Sequence, residues 1–238
     1  MNYEQLAKQF WEQGYLIFEN FFEDEIMDQF NQQILDYFGE SPEFFHNEEF
    51  LEKAKTEVIP WFPQWEGVKE FDYFDNHEHL VGLTKAILGE GWEALYSMVM
   101  FSKSGTKGQS WHQDCPPEDP KLFNINRLSY TMDVTEDIGG YTLVVPKSHK
   151  AGVLPASEEN DTFYEDQVVI KPRKGTLVLL HGHAWHRVEP VIGKYRISTN
   201  CRAIPAGVPK DVTDICVYPN MRYSFKTNEV IEDRLANA

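Results

Sequence analysis

What most limits the fold of this 238-residue chain is the crowding of strand-like runs in its second half. Segments rich in β-branched and aromatic residues fall at 96–103, 125–134, 142–145, 167–171, 176–180, 185–188 and 195–200. Glu189-Pro190 and Ile192-Gly193-Lys194 supply turns between the last of them. Helical periodicity belongs to the first half. Residues 3–13 end at Gly14, residues 23–38 repeat Ile26, Phe30 and Ile34 at intervals of four before Gly39, and residues 76–88 precede Gly89. Helices followed by closely spaced strands, without helix-strand alternation, fit an antiparallel double-stranded β-helix better than a Rossmann layout. We therefore expect a mainly β, cupin-like jelly-roll core with flanking helices. The expected organisation is one domain over 1–238, with a helical buttress at about 1–94, a β-helix core at about 95–204 and a tail at 205–238.

The chemistry concentrates around Trp111-His112-Gln113-Asp114. His112 and Asp114 are two residues apart, so on an extended strand both side chains leave the same face while Gln113 points away. A second histidine from another element would complete a set of two imidazoles and one carboxylate, which occupies one face of an octahedron and leaves the others open. His-x-Asp alone fits equally well a surface histidine beside an aspartate, so the late strands must carry the argument. Arg196, Ser198 and Asn200 share a strand face. If that face is interior, Arg196 is a buried cation whose planar fork suits a carboxylate. No acid adjoins it in sequence, which leaves a bound carboxylate ligand or an ion pair with one of the 38 acidic residues.

The ordered set of His112-x-Asp114, then Gly139-Gly140-Tyr141-Thr142-Leu143-Val144-Val145-Pro146-Lys147-Ser148-His149, then His186 and Arg196 ten residues later resembles the phytanoyl-CoA hydroxylase family of iron(II)- and 2-oxoglutarate-dependent oxygenases. The resemblance runs from about Gly14 to about Ala203, and residues 14–22 are similar to the family's short N-terminal strand. It implies that His112, Asp114 and His186 hold Fe(II), that Arg196 grips the distal carboxylate of 2-oxoglutarate with help from Ser198, and that Ser129 and Thr131 lie near the co-substrate. It further implies O2 as second co-substrate, release of succinate and CO2, and oxidation of a C–H bond of a small molecule. Halogenating relatives usually carry alanine or glycine where this chain has Asp114, so hydroxylation is the expected outcome. Of His181, His183 and His186, the spacing to Arg196 that the family leads one to expect selects His186. Two departures stand out: Ser129 replaces a bulky aromatic of some members, and Lys147 replaces a frequent glycine, which bears on that turn's conformation.

Other readings compete. A non-catalytic cupin-like binding protein could keep the same barrel and metal. A zinc hydrolase of metallo-β-lactamase type would use His181 and His183, but Trp185 stands where that motif needs aspartate. Outside the zinc reading, His181 and His183 are expected to line the pocket or to support the ligands through hydrogen bonds. The net charge of -16 and the lack of clustered basic residues exclude nucleic acid as a partner and disfavour a CoA thioester. Residues 1–60 alone hold fourteen Asp or Glu against three Lys, an acidic helical face suited to solubility. With no signal-peptide pattern and no 18-residue apolar run, the expectation is a cytoplasmic protein with a small-molecule substrate and no membrane contact. Cys115, Cys201 and Cys216 are scattered and odd in number, which argues against a disulfide framework. Most of the aromatics in 61–65 and 71–74 are expected to pack as core, residues 105–110 to form a mobile loop near a pocket mouth, and the tail to carry little functional signal.

Overall fold

The computed structural model describes residues 1–39, 48–54 and 58–236. Helix α1 (Tyr3–Gln13) is capped by the Asn2 side chain, which accepts from the Gln5 N–H, and it buries Ala7 and Phe10. It stops at Gly14, whose left-handed φ of 85° lets its N–H return to the Phe10 carbonyl and turns the chain straight into strand β1 (Tyr15–Phe18). Helix α2 (Asp24–Phe38) buries Met27, Phe30 and Ile34, the four-residue repeat shifted by one residue at its start. After α3 (Glu48–Ala54) and strand β2 (Ile59–Trp61) come α4 (Asp72–Asn76) and α5 (Glu78–Leu88). Strands then follow in series: β3 (Glu93–Lys103), β4 (Gln109–His112), β5 (Ile125–Ser129), β6 (Thr142–Val144), β7 (Val168–Ile170), β8 (Leu177–His181), β9 (His186–Val188), β10 (Tyr195–Ile204), β11 (Ile215–Val217), β12 (Met221–Ser224) and β13 (Glu229–Asp233).

These strands form a six-stranded sheet in the order β1-β8-β5-β10-β3-β2, a four-stranded sheet β4-β9-β6-β7 and a small sheet β11-β12-β13, with every pairing antiparallel. The larger two are the walls of the expected double-stranded β-helix. Residues 1–94 do more than buttress it, because β1 and β2 form the two edges of the six-stranded sheet. Period-2 alternation decides what each strand shows to either side. Leu177, Leu179, Ile125, Ile197 and Cys201 pack with Phe10, Phe30, Phe71 and Leu83 of the helical layer. Val178, Leu180, Leu128 and Met100 face inward with Tyr130 and Val144.

Among the strands expected from residue 95 onward, two boundaries differ by four or more residues from the sequence expectation, for identifiable reasons. The run 125–134 forms ladder pairs only to Ser129; beyond it Tyr130 N–H and Val134 N–H bond singly to the carbonyls of Thr176 and Pro172. The last strand continues past Asn200 to Ile204 because β3 pairs with it throughout. The aromatic runs divide: Trp61, Phe71 and Phe74 are core, while Phe62 and Trp65 stack on each other at 4.1 Å beside the internal cavity. All three cysteines are free and buried. Among the described residues no helix is long and apolar enough to cross a membrane.

The helical layer is also tied to the sheet by charge. Arg127 on β5 is fully buried, its Nε donates to the Cys201 carbonyl at 2.7 Å, and its terminal nitrogen meets Asp75 of α4 at 2.5 Å. Asp75→Ala leaves that guanidinium buried without its counter-charge. The expected loss is about 3–5 kcal/mol in urea unfolding, partly recovered when Arg127→Met is added. A loss no larger than that of an ordinary surface substitution would argue against the role given to this pair.

Candidate active site

Strand pairing assembles the site. His112 ends β4 directly opposite His186, the first residue of β9, and the two rings lie 4.1 Å apart centre to centre. Asp114 follows β4 and is held by its N–H on the Gly182 carbonyl. Its Oδ2 stands 3.4 Å from His186 Nε2 and its Oδ1 3.8 Å from His112 Nε2. As the alternation requires, Gln113 turns away and bonds to Gly152, His183 and Leu154 backbone groups. His112, Asp114 and His186 are thus brought together and buried, lining a cavity of about 650 Å³.

The tautomers follow from backbone acceptors. His112 Nδ1–H donates to the Ser110 carbonyl at 2.8 Å and His186 Nδ1–H to the Ala184 carbonyl at 2.9 Å. Both Nε2 lone pairs are therefore left toward Asp114. Burial, then the neighbouring His186 ring, push His112 down to about 3, so its imidazole stays neutral. Asp114 feels an upward push from burial, but Arg202 and the two histidines outweigh it and hold the carboxyl at about 2. Arg202 donates to Asp114 Oδ1 at 2.8 Å and Asn126 to Oδ2 at 2.6 Å, while Asn200 and Asn124 donate to the Asn126 oxygen and fix which way its amide points. Two imidazoles and one ionised carboxylate, already oriented by their outer bonds, fit a divalent transition metal with open positions.

Arg196 sits in the same cavity and is fully buried. Its Nε donates to the Gly140 carbonyl at 2.8 Å, one terminal nitrogen to Ser198 Oγ at 3.0 Å and the other to Thr142 Oγ1 at 3.1 Å. The Tyr130 ring lies below the guanidinium at 5.6 Å. All of these acceptors are neutral, and burial pulls the guanidinium below its usual pKa. The Tyr130 hydroxyl is a further neutral hydrogen-bond partner, and the guanidinium, with five N–H donors, keeps capacity for an anion. Gly140 is required here: its φ is 72°, and a Cβ would stand 2.7 Å from the Arg196 side chain.

Other expected positions fall elsewhere. Ser129 and Thr131 do not line the cavity. They share the outward parity of Arg127, with Ser129 directed to the Thr199 carbonyl and Thr131 bonded to Asn31 of α2 at 3.0 Å. The inward residues of that segment are Asn126, Leu128 and Tyr130. Ser198 supports Arg196 without lining the cavity. His181 and His183 also lie outside it, packed with His149 against Phe123 and Phe10. Lys147 adopts the left-handed φ of 65° that explains the family's frequent glycine there. Residues 105–110 are pinned, with Gly105 N–H bonding to the Val191 carbonyl and Val191 N–H to that of Thr106.

The largest revision concerns the tail. Gln113 and Val217 form an antiparallel bridge, which sets Tyr218 opposite His112 and Cys216 opposite Asp114. Tyr218 stacks on the His112 ring at 5.5 Å, and Thr213, Asp214 and Lys226 also line the cavity. Residues 205–236 thus roof the site. Arg202 could have been found in sequence by following the Arg196 face along the strand; the roof had no such signal.

A three-donor set with open positions suits a catalytic metal better than a closed structural one, and the unpaired arginine suits a co-substrate bearing a carboxylate. Both properties belong to the iron(II)- and 2-oxoglutarate-dependent oxygenases, which also consume O2. The profile of the phytanoyl-CoA dioxygenase (PhyH) family matches residues 10–195, and the chain belongs to that family. Solved structures share its fold at low identity. SnoN, a non-heme alpha ketoglutarate dependent epimerase from nogalamycin biosynthesis, aligns with a TM-score of 0.67 and 15% identity over 91% of this chain and 85% of that one. HygX from Streptomyces hygroscopicus, solved with nickel and 2-oxoglutarate bound, gives 0.69 and 15% over 87% and 88%. SnoK, a carbocyclase from the same nogalamycin biosynthesis, gives 0.63 and 15% over 90% and 86%. No curated protein matches the sequence.

The histidine cluster beside the site makes stability depend on pH. Burial, then His183 and His149, hold His181 well below its usual 6.5. The unfolded chain therefore takes up this proton first, so the contribution is complete above pH 6.5 and is lost as pH falls below it. His181→Asn, which keeps an acceptor for the His183 N–H, is expected to reduce the acid-side slope of urea-unfolding stability by about 1.4 kcal/mol per pH unit. Identical slopes in the two proteins would count against His181 as a source of that loss.

Proposed function

We propose that this oxygenase hydroxylates an unactivated C–H bond of a small organic molecule, releasing succinate and CO2, with His112, Asp114 and His186 as the iron ligands and Arg196 as the anchor of the distal carboxylate of 2-oxoglutarate. The observation that carries this reading is the buried Arg196, bonded among the described residues only to neutral acceptors, in the cavity that the three candidate ligands line. A bare buried guanidinium is costly, and a bidentate carboxylate is the ligand that would offset the cost. When bound, the metal activates O2 at the expense of 2-oxoglutarate.

The chain's residues then have distinct tasks. Ser110 and Ala184 carbonyls hold the two imidazoles with Nε2 toward the ion. Arg202 and Asn126 keep Asp114 ionised and fixed. Thr142 and Ser198 hold the Arg196 fork in plane with an incoming carboxylate. Tyr218 closes the site from above, while Phe62, Trp65 and Tyr96 offer an aromatic surface where a substrate would lie. HygX, which has been solved with nickel, 2-oxoglutarate and hygromycin B together, supports a ternary arrangement of this kind. The retained Asp114 carboxylate favours hydroxylation over halogenation. The placement of His181 and His183 outside the cavity speaks against a zinc hydrolase built on them.

Anaerobic titration with Fe(II) and 2-oxoglutarate is expected to give the visible metal-to-ligand charge-transfer band of the chelate. Arg196→Met should weaken 2-oxoglutarate binding on the order of a hundredfold in this titration, with Fe(II) binding little changed. Properly folded, iron-loaded wild-type protein that shows no band would sink the reading.

A further inference from the structure

Cys216 has no part in the chemistry described so far, yet it occupies a defined place in the site. The Gln113–Val217 bridge is made by two backbone bonds of 2.9 Å, so register alone directs Cys216 to the face of Asp114 and His112. Its Sγ, a His112 ring nitrogen and an Asp114 oxygen all lie within 4.8 Å of one another, and Cys216 is buried and lines the cavity. Cys115 is the next residue after Asp114, but it has the opposite parity and points to Asn124. The C-terminal sheet therefore brings a sulfur donor to a centre that otherwise offers only nitrogen and oxygen.

We propose that Cys216 is a fourth metal donor, which makes this centre a closed site for zinc(II) or cobalt(II) in competition with its iron(II) form. Sulfur matters because iron(II) oxygenase chemistry needs a three-donor face with vacant positions, whereas zinc is most stable with four donors in a tetrahedron. Tetrahedral donors at about 2.0–2.3 Å from one ion are about 3.5 Å apart, so within the set His112, Asp114 and Cys216 the groups must close by about 1 Å, within reach of side-chain rotation, while His186 Nε2 already stands 3.4 Å from Asp114 Oδ2. Without zinc the thiol donates to the Gln113 carbonyl at 3.1 Å. On zinc binding the S–H proton leaves to solvent and a sulfur–zinc bond replaces that hydrogen bond. The vertex taken by sulfur is then closed to 2-oxoglutarate. The inference rests on His112, Asp114 and His186 being the metal ligands and adds one further residue to them.

Zinc-edge X-ray absorption of the zinc-loaded wild-type protein is expected to show one sulfur neighbour at about 2.3 Å. The cobalt(II) form should carry a near-ultraviolet thiolate-to-cobalt band that is kept in Cys115→Ser and lost in Cys216→Ser and Cys216→Ala. Zinc affinity in the two Cys216 variants should fall by about tenfold or more. A zinc shell of nitrogen and oxygen alone, or a cobalt band that survives in both Cys216 variants, overturns the proposal; the absorption measurement needs no variant to fold. His112→Ala separates the two levels of argument. Metal binding that ignores this change removes the ligand set as well, whereas metal that depends on His112 but lacks a sulfur neighbour removes Cys216 alone.

Discussion

The alternation along β10 is the constraint on which the rest of the molecule depends. This strand is hydrogen-bonded on both sides, to β3 over its whole length and to β5, so its side chains can go only to the helical layer or to the interior. Ile197, Cys201 and Ala203 take the first direction and join the main core. Arg196, Ser198, Asn200 and Arg202 take the second, where a polar side chain with no partner at all would be costly. The barrel is arranged to supply them: the Gly140 carbonyl and Thr142 for Arg196, Asn126 for Asn200, Asp114 and Tyr96 for Arg202. A one-residue slip in this strand would exchange the two sets and abolish core and site together.

The two inward arginines have opposite electrostatic fates. Arg202 is neutralised by Asp114, an acid of the protein's own, and that pair helps to keep the carboxyl ionised and held in place. Arg196 is surrounded by neutral acceptors, so its charge is available to something that arrives from outside. A chain with a net charge of -16 concentrates in this cavity the one kind of cationic point that a small dicarboxylate could use.

Much of this was legible in the sequence, and what was not has physical reasons. Helix ends at Gly14, Gly39 and Gly89 were readable because glycine there leaves the helical conformation. Parity made it readable that His112 and Asp114 share a face, while the addition of His186 and Arg196 came from the family resemblance. Ser129 and Thr131 were expected near the co-substrate from the resemblance alone; they take the outward parity of Arg127, and β5, buried along its whole length, does not announce which face is inner. The roof was missed because β11, β12 and β13 are short and acquire their place from pairing with Gln113 and packing on Phe50, neither of which local pattern encodes.

That roof has its own small apolar cluster, in which Cys216, Tyr218, Met221 and Tyr223 pack on Phe50 and Ala54 of α3 rather than on the barrel's main core. The residues that shape the cavity mouth thus pack on α3 and meet the His112 strand through the Gln113–Val217 bridge. Insertions and exchanges in 205–236 can alter what enters while β4, β9 and β10 keep their register. In this scaffold the choice of molecule and the reaction performed on it are free to diverge at different rates.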